Sequence, residues 1–286
     1  MNDSAVEVEL PGVHRVSDRC LRCFNEQQWY AESFLYDYFG DENVAGKRIL
    51  EIGCAEAGLL KYYHTKGAVC SGIELTDTRY NNALVLNQPG IIHLFQADIC
   101  IPETYQSEIN HQYDYIVLRD VIEHIEEKET ALKNIHGMLK EDGKMFMSFP
   151  PKYCSYAGHQ QVIPKWIGKL PYLYLLPNFL YRAYLNLLGL PEQRISYFLS
   201  TKRTRISIKN MKRLINRTNF EIEKEDLYLL RPAYSFRFGL PRIKNPFSSI
   251  PGLNEFMTNG ALSVSYTHLR AHETSLHLVC RLLLEK

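Results

Sequence analysis

The sequence has no excess of charge of either sign. Its 286 residues include 33 lysines and arginines and 32 aspartates and glutamates, so the net charge at pH 7 is +1. A nucleic-acid-binding domain usually carries a strong basic surplus that neutralises phosphates, and this balance argues against that class of protein. Apolar residues make up 45% of the chain and charged residues 23%. This ordinary globular composition excludes disordered, collagen-like and coiled-coil chains.

The cysteines lack the pairing that a disulfide framework or a zinc ribbon needs. There are seven of them, an odd number, and Cys20 and Cys23 form a lone C-x-x-C with no second pair at suitable spacing. The acidic N-terminus shows no signal-peptide pattern. A chain of this length buries enough surface to fold without disulfides. We therefore expect a reducing, cytoplasmic location.

The last twenty residues differ from everything before them. Residues 267–286 read THLRAHETSLHLVCRLLLEK and contain three of the ten histidines. They resemble a tail that arises when sequencing-adapter DNA is translated in an assembly. We predict that this tail is not native and leave its histidines out of any site. The alternative is a short amphipathic helix.

Strands alternate with helices over most of the chain. Short apolar runs predict strands at 48–53, 68–73, 91–96, 113–118, 144–149, 220–230 and 261–266. Apolar residues at helical spacing predict helices at 24–39, 58–66, 76–86, 126–140 and 208–219. This alternation predicts an α/β fold that is Rossmann-like and doubly wound. We expect a mainly parallel seven-stranded sheet with helices on both faces, an N-terminal helix and a helical insertion after the fifth strand.

We predict one folded domain over residues 24–266, preceded by an extension at 1–23. Within it, residues 151–205 interrupt the alternation and are rich in Tyr, Leu and Pro. We interpret this insertion as a lid on the substrate side. Its most apolar stretch, 165–190, contains Trp166, which could cap an apolar acceptor or lie on a membrane surface. Prolines, asparagines and an arginine interrupt the stretch, which argues against a membrane span.

The loop after the first strand is built from small residues. It reads Glu51-Ile-Gly53-Cys54-Ala55-Glu-Ala57-Gly58 and leads into a predicted helix. Small residues let a ligand approach the backbone, and the start of a helix offers free N–H groups. In an open parallel sheet the ligand lies at the carboxyl ends of the strands. The loop is therefore a candidate cofactor site.

Polar residues follow each of the next three predicted strands. Glu74 ends the second strand and precedes Leu75; its carboxylate can accept hydrogen bonds from both hydroxyls of a ribose. Asp98 ends the third strand and can accept from an adenine amino group, while Ile99 packs on the ring. The fourth strand is followed by Arg119-Asp120-Val121-Ile122-Glu123-His124.

Together these motifs resemble class I S-adenosylmethionine-dependent methyltransferases of the small-molecule type, similar to O-methyltransferases of ubiquinone biosynthesis. The resemblance covers residues 25–150 well and 206–266 loosely. It implies S-adenosylmethionine as cofactor, and it implies these binding residues: Glu51, Gly53, Cys54, Ala55, Gly58, Glu74, Leu75, Asp98, Ile99 and Arg119. The sequence departs from the family pattern at Ala55 and Ala57, where glycine is usual.

The reaction that the resemblance implies is an in-line displacement, in which the protein aligns the acceptor with the methyl group. A hydroxyl or amine acceptor can also need a base, and the candidates are His159, His124 and Asp120. His159 follows the fifth strand in a loop that we expect to overhang the methyl group; its alternative role is to fix that loop. Asp120, Glu123 and His124 are similar to a divalent-metal set of some O-methyltransferases. The same residues occur in metal-free relatives, and we predict no metal.

The expected acceptor is a small molecule, apolar or lipid-like, with a weak preference for O-methylation. No Asn/Asp-Pro-Pro-Tyr/Phe tetrad of amino-base methyltransferases occurs. Two alternatives stay open. Gly53, Ala55, Gly58 and Glu74 also fit a loop that binds NAD(P), as in a Rossmann oxidoreductase, although Asp98 and the segment after the fourth strand then have no role. The chain could also bind S-adenosylmethionine without catalysis.

Overall fold

A computed structural model describes residues 16–267 apart from 41, 42, 88, 110 and 164. Its centre is an eight-stranded sheet of order β3-β2-β1-β4-β5-β8-β6-β7. The strands are β1 (Arg48–Ile52), β2 (Val69–Glu74), β3 (Ile92–Gln96), β4 (Tyr113–Arg119), β5 (Leu139–Phe149), β6 (Phe220–Leu230), β7 (Ile243–Lys244) and β8 (Gly260–Thr267). β1 to β5 pair in parallel, whereas β8 runs antiparallel to β5 and β6. The predicted α/β, mainly parallel sheet is confirmed.

The sheet has one strand more than the seven predicted. The addition is β7, a two-residue edge strand that pairs antiparallel with β6. Two residues are too few to produce a periodic pattern in a sequence. All seven predicted strands are present, and most of their ends agree within one or two residues, although β5 begins five residues earlier than expected.

Ten α-helices surround the sheet within the described residues. They are α1 (Asp18–Tyr30), α2 (Tyr36–Phe39), α3 (Gly58–Thr65), α4 (Asp77–Leu86), α5 (Lys128–Met138), α6 (Asn178–Leu187), α7 (Glu192–Thr204), α8 (Ile208–Arg217), α9 (Ala233–Phe238) and α10 (Leu253–Met257). A π-helical turn, Ala31–Leu35, joins α1 to α2.

The N-terminal helix begins earlier than the sequence pattern indicated. Ser17 caps α1, with its side-chain oxygen accepting a hydrogen bond from the Cys20 amide at 3.3 Å, as serine commonly does. The helix therefore includes the last residues of the predicted extension, 1–23, whose residues 1–15 lie outside the described part. The predicted tail, 267–286, also lies outside it except for Thr267, which ends β8.

Alternate side chains of the central strands pack on opposite faces of the sheet. In β4, Val117 joins one core with the aromatic residues of α1, whereas Ile116 and Leu118 join the other with α5 and α8. This period of two follows from strand geometry. Helices therefore cover both faces, and β1 lies between β2 and β4 where the strand order reverses. That reversal opens a crevice at the carboxyl ends of these strands.

The insertion at 151–205 has a core of its own. Tyr181 and Leu185 of α6 pack with Ile195 and Phe198 of α7, and Tyr174 completes the cluster. This cluster makes the insertion a compact unit beside the sheet. The six cysteines within the described residues are unpaired.

Candidate active site

The loop between β1 and α3 folds into a tight turn. Gly53 adopts a φ of +66°, and the amides of Gly53 and Cys54 both donate to the Ile73 carbonyl, at 2.7 and 3.1 Å. A Cβ atom at position 53 would lie 2.5 Å from Val121 Cγ2. Glycine is required here for both reasons: the left-handed backbone and the close approach of Val121.

The loop keeps this shape although two alanines stand where glycine is usual. Ala55 and Ala57 have φ values of +50° and +59°, in the left-handed region. An alanine held there costs roughly 1 kcal/mol or more. The turn is fixed by the Ala57 amide, which donates to the Cys54 carbonyl at 2.8 Å. The two alanines therefore add a conformational cost to the loop, which its hydrogen bonds offset.

Glu51 lies under this loop and is almost completely buried, with 1% of its surface exposed. Burial raises the pKa of its carboxyl to about 8, while the positive charge of Arg119 acts in the opposite direction. Its Oε2 atom has no hydrogen-bond partner among the described residues. A buried carboxyl oxygen without a partner is costly. A cationic ligand group would satisfy it.

Glu74 connects the ends of β2 and the loop. Its Oε2 accepts from the Ala55 amide at 2.9 Å and its Oε1 from the Thr76 amide at 2.8 Å. A carboxylate has about four lone-pair positions, so two amide bonds leave capacity for ligand hydroxyls. Leu75, which follows it, is 64% exposed.

Asp98 stands at the end of β3 and accepts from the Cys100 amide at 2.8 Å through Oδ1. Ile99 beside it is buried in the core on the α5 side of the sheet, and its carbonyl accepts from Asn134 at 2.8 Å. At this edge the exposed apolar side chain is therefore Leu75, and Ile99 has little surface to offer a ring.

Helix α1 closes over the loop through Gln27, a residue that the sequence reasoning missed. Its Oε1 accepts from the Gly58 amide at 2.7 Å, and its Nε2 donates to the Cys54 carbonyl at 3.3 Å. A Cβ atom at Gly58 would collide with the Phe24 carbonyl. Glu26 and Gln27 belong to a run of four polar residues, 25–28, in a helix with many polar side chains, so no local signal indicated that these two are buried.

Glu26 forms ion pairs with arginines that are far from it in the sequence. It accepts from Arg237 at 2.7 and 2.8 Å and lies 3.5 Å from Arg119. The Arg119 guanidinium also lies 5.1 Å from the centre of the Tyr30 ring. The sequence reasoning missed Arg237 and Arg231, which reach the site from beyond β6 and carried no local signal.

Asp120 is held in place by one of these arginines. It forms an ion pair with Arg231, adopts a left-handed φ of +58°, and donates its amide to the Ser148 carbonyl at 2.9 Å. Burial raises the pKa of its carboxyl, but the charges of Arg231 and Arg119 outweigh burial and hold that pKa below its usual value. This pairing makes Asp120 a poor proton acceptor.

The two candidate histidines lie together. The ring centres of His124 and His159 are 5.3 Å apart, and His159 Nδ1 lies 3.2 Å from the Tyr197 hydroxyl. Burial and then the charge of Arg205 lower the pKa of His124 to about 4 and that of His159 to about 3. Both imidazoles are therefore uncharged near neutral pH and retain a nitrogen lone pair.

Arg205 is a further residue of the site that the sequence analysis did not identify. Its side chain is fully buried, and its Nη1 lies 3.6 Å from Glu123 Oε1. Burial and the nearby Asp120 charge raise the pKa of Glu123 to about 7, against the effect of Arg205. A buried basic residue is rarely found without a partner of this kind.

The structure brings together one possible set of metal donors. Ligand atoms of Glu123, His124 and His159 all lie within 4.8 Å of one another. Asp120 does not belong to this set, because it is paired with Arg231. The fixed positive charge of Arg205, 3.6 Å from Glu123, would repel a divalent cation at the same carboxylate. This arrangement does not favour a metal.

Known proteins resemble this chain in sequence and in fold. A family model described as "Methyltransferase domain" matches residues 25–225. A probable (S)-tetrahydroprotoberberine N-methyltransferase 2 of Papaver bracteatum is 28% identical over 36% of this chain and 28% of its own length. A ubiquinone biosynthesis O-methyltransferase of Pseudomonas syringae pv. tomato is 24% identical over 37% of this chain and 45% of its own. The matched segment thus spans less than half of these curated relatives.

Solved structures share the architecture at low sequence identity. A putative S-adenosylmethionine-dependent methyltransferase of Listeria monocytogenes aligns with a TM-score of 0.52 and 14% identity. The alignment covers 86% of this chain and 100% of the Listeria chain. One from Mesorhizobium loti aligns with a TM-score of 0.51 and 16% identity, covering 84% and 97%. These likenesses show the fold.

Proposed function

The chain belongs to the methyltransferase domain family, and from that premise we propose that it transfers the methyl group of S-adenosylmethionine to a small molecule. The observation that carries the proposal is the Glu51–Gly58 loop. A buried carboxyl with an unpartnered oxygen lies beneath a turn of small residues, and Glu74 closes that turn. S-adenosylmethionine matches this arrangement, because its ammonium group would pair with the Glu51 carboxyl and its ribose hydroxyls would bond to Glu74.

We assign the cofactor-binding residues as follows. Glu51 Oε2 would accept from the ammonium group, and Glu74 from the ribose hydroxyls. Asp98 would accept from the adenine amino group, with Leu75 beside the ring. The backbone of Gly53, Cys54, Ala55 and Gly58 would line the loop, and Arg119 would face the cofactor's carboxylate. When bound, S-adenosylmethionine supplies an electrophilic methyl group on a sulfonium sulfur.

The residues of this chain would align the acceptor and remove its proton. His159 is the first candidate for the base and His124 the second, since both rings are uncharged near neutral pH and their centres lie 5.3 Å apart. Burial lowers the pKa of both imidazoles and so weakens them as bases, which favours an acceptor whose hydroxyl is itself acidic, such as a phenol. Tyr197 would orient the His159 ring through their 3.2 Å contact. Asp120, originally a third candidate, fits better as a positioning residue that holds Arg231. A positioned base typically contributes 10²–10⁴-fold to the rate.

The histidine pair favours an oxygen as the accepting atom. A hydroxyl must lose its proton as the new bond forms, and an uncharged imidazole can take it. The curated relatives carry names of both O- and N-methyltransferases. An amine acceptor can use the same base, so the preference for oxygen rests on the hydroxyl's stricter need to lose its proton. We propose O-methylation of a small, mainly apolar acceptor.

Calorimetric titration of the full chain with S-adenosylmethionine and, separately, with NADH tests the proposal. We expect S-adenosylmethionine to bind, Asp98→Ala to lose binding and Glu74→Ala to weaken it. Asp77→Ala, an exposed acid three residues after Glu74, is the matched control and should bind like the wild type. Binding of NADH without binding of S-adenosylmethionine would establish the oxidoreductase alternative.

Methyl transfer to a panel of phenols, amines and lipid-like hydroxyl compounds then tests catalysis. We expect turnover with a hydroxyl acceptor. Cofactor binding that persists without turnover of any acceptor would favour the non-catalytic alternative.

A further inference from the structure

The insertion exposes large apolar side chains to solvent. Trp166 is 74% exposed, Phe179 71% and Leu187 84%. Ile167, Leu170 and Leu180 are also exposed, and these six residues form what we call the insertion face. Scattered exposed apolar residues are normal in soluble proteins, whereas a concentration of large ones marks an interaction site.

Helical spacing and two hydrogen bonds make this face continuous. In α6, Phe179, Ala183 and Leu187 recur every four residues and so share one side of the helix. The opposite side, with Tyr181 and Leu185, is buried in the core of the insertion.

The turn that carries Trp166 is attached to the end of the same helix. The Tyr184 hydroxyl donates to the Ile167 carbonyl at 2.7 Å, and Lys165 Nζ donates to the Leu188 carbonyl at 2.7 Å. These bonds hold Trp166 and Ile167 near Leu187.

The insertion is also strongly basic, although the chain as a whole is neutral. Residues 151–205 contain eight lysines and arginines and one acidic residue, a net charge of +7 within a chain of net charge +1. Lys169 is exposed between Trp166 and Leu170. Arg182 is exposed on α6, 2.9 Å from the single acid, Glu192. Arg205 is buried beside Glu123 and Arg203 pairs with Glu126, so the charge available at the surface is smaller than this sum. Lys169 and Arg194 are exposed, and the surface that carries them is complementary to an anionic one.

We propose that the insertion face docks on the surface of an anionic lipid bilayer. Exposed Trp, Phe and Leu next to lysine and arginine are typical of helices that lie in the headgroup region. Helix α6 has ten residues and is about 15 Å long, half the thickness of a hydrocarbon core. In the described part of the chain, no helix combines the length and apolarity of a membrane span. The face therefore lies on the bilayer and does not cross it.

Docking also has a consequence for the acceptor, which rests on the proposed function. His159 belongs to the same insertion and packs against His124 at the sheet. Docking would therefore place the acceptor side of the site next to the bilayer, where an acceptor with an apolar body would partition. The test of docking requires no turnover, so docking and methyl transfer can fail separately.

Sedimentation of the full chain with lipid vesicles tests the proposal. The probes are vesicles of phosphatidylcholine alone and of phosphatidylcholine mixed with phosphatidylglycerol. We expect binding to the mixed vesicles that weakens as salt is raised, because exposed charges are screened. Trp166→Ser/Phe179→Ser/Leu187→Ser should weaken vesicle binding at least about tenfold, since three apolar groups no longer leave water.

Two controls separate docking from nonspecific effects. Leu84→Ser removes an exposed apolar side chain from α4 and should bind vesicles like the wild type. Lys169→Glu should weaken binding to the mixed vesicles about fivefold or more. Circular dichroism confirms that each variant is folded.

Fluorescence gives an independent measurement. The chain has two tryptophans, so Trp29→Phe leaves Trp166 as the sole probe. We expect its emission to shift to the blue when mixed vesicles are added. The proposal is overturned if the wild type stays in the supernatant at low salt or if the triple variant binds as tightly as the wild type. A self-association that the triple variant abolishes, without vesicle binding, would assign the face to a second copy.

Discussion

At the scale of single residues, the loop after β1 holds two alanines in a backbone conformation that favours glycine. Ala55 and Ala57 hold the left-handed backbone that glycine would adopt without cost. The surroundings compensate, because the Ala55 amide is bonded to Glu74 and the Ala57 amide to the Cys54 carbonyl. At these two positions the backbone is held in shape by its contacts, whereas at position 53 glycine itself is required.

We expect Ala55→Gly to stabilise the protein by about 1 kcal/mol, because glycine removes the cost of a positive φ. Chemical denaturation of the two proteins measures this difference. Ala183→Gly is the control, since Ala183 is exposed within α6, and glycine there should destabilise the protein by about 1 kcal/mol. Destabilisation by Ala55→Gly would mean that the Cβ atom contributes more packing than it costs in strain.

The second residue-scale prediction concerns the base. If His159 takes the proton, His159→Gln should lower kcat by about 10²–10⁴-fold and leave the affinity for S-adenosylmethionine unchanged. Tyr197→Phe, which removes only the hydroxyl 3.2 Å from Nδ1, should lower kcat less and leave cofactor affinity unchanged. Equal kcat in wild type and His159→Gln would transfer the role to His124.

At the scale of elements, α1 and the segment after β4 pack against the loop between β1 and α3 from two sides. Gly53 faces the Val121 side chain, whereas Gly58 faces the backbone carbonyl of Phe24. A side chain can be shortened by mutation, and a backbone carbonyl cannot. The two glycines should therefore respond differently to a compensating change.

We expect Gly53→Ala to destabilise the protein by about 2–4 kcal/mol through steric overlap and the positive φ. Adding Val121→Ala should restore part of this loss, because the nearest contact, 2.5 Å to Val121 Cγ2, disappears. Gly58→Ala should be equally harmful and should not be rescued by Val121→Ala. Thermal unfolding of the single and double variants measures both. Equal rescue of the two glycine variants would contradict this account.

The elements that the sequence predicted best are those with local signals. Apolar runs located the strands, and the acids at their ends, Glu74 and Asp98, lie at one edge because β1, β2 and β3 are adjacent and parallel. The start of α1 was missed because its first turns contain Asp18, Arg19 and Arg22 and so show no apolar period. β7 is too short to leave a pattern.

The long-range contacts of the site had no such signal. Arg237 binds Glu26 across 211 residues and Arg231 binds Asp120 across 111. An arginine after a strand gives no indication of its partner. Gln27 on α1 and Arg205 just after α7 are comparable, since polar residues at such positions are usually solvated and only the packed structure shows that these two are buried.

At the scale of the whole molecule, the site makes stability depend on pH. Burial raises the pKa of Glu51 to about 8 and that of Glu123 to about 7, both above the usual 4.5. A raised pKa contributes stability that is complete below pH 4.5 and is lost as pH rises through the folded-state value, because the unfolded chain releases the proton first. The lowered pKa values of His124 and His159 act in the opposite direction, but only below about pH 6.5.

Between pH 6.5 and pH 8, the change in the free energy of unfolding with pH therefore reports on the buried carboxyls of Glu51 and Glu123. Across it we expect the free energy of unfolding of the wild type to fall by about 1–2 kcal/mol relative to Glu51→Gln, which has no carboxyl to ionise. Urea denaturation at several pH values measures this difference, with Glu141→Gln, an exposed carboxyl, as the control that should follow the wild type. A constant difference between wild type and Glu51→Gln would mean that Glu51 is already ionised throughout this range. If instead the gap between the free energies of unfolding of wild type and Glu51→Gln grows with pH, Glu51 is protonated at pH 7 in the folded protein. A ligand ammonium that pairs with Glu51 must then displace this proton, so binding of S-adenosylmethionine at pH 7 should release protons into the buffer.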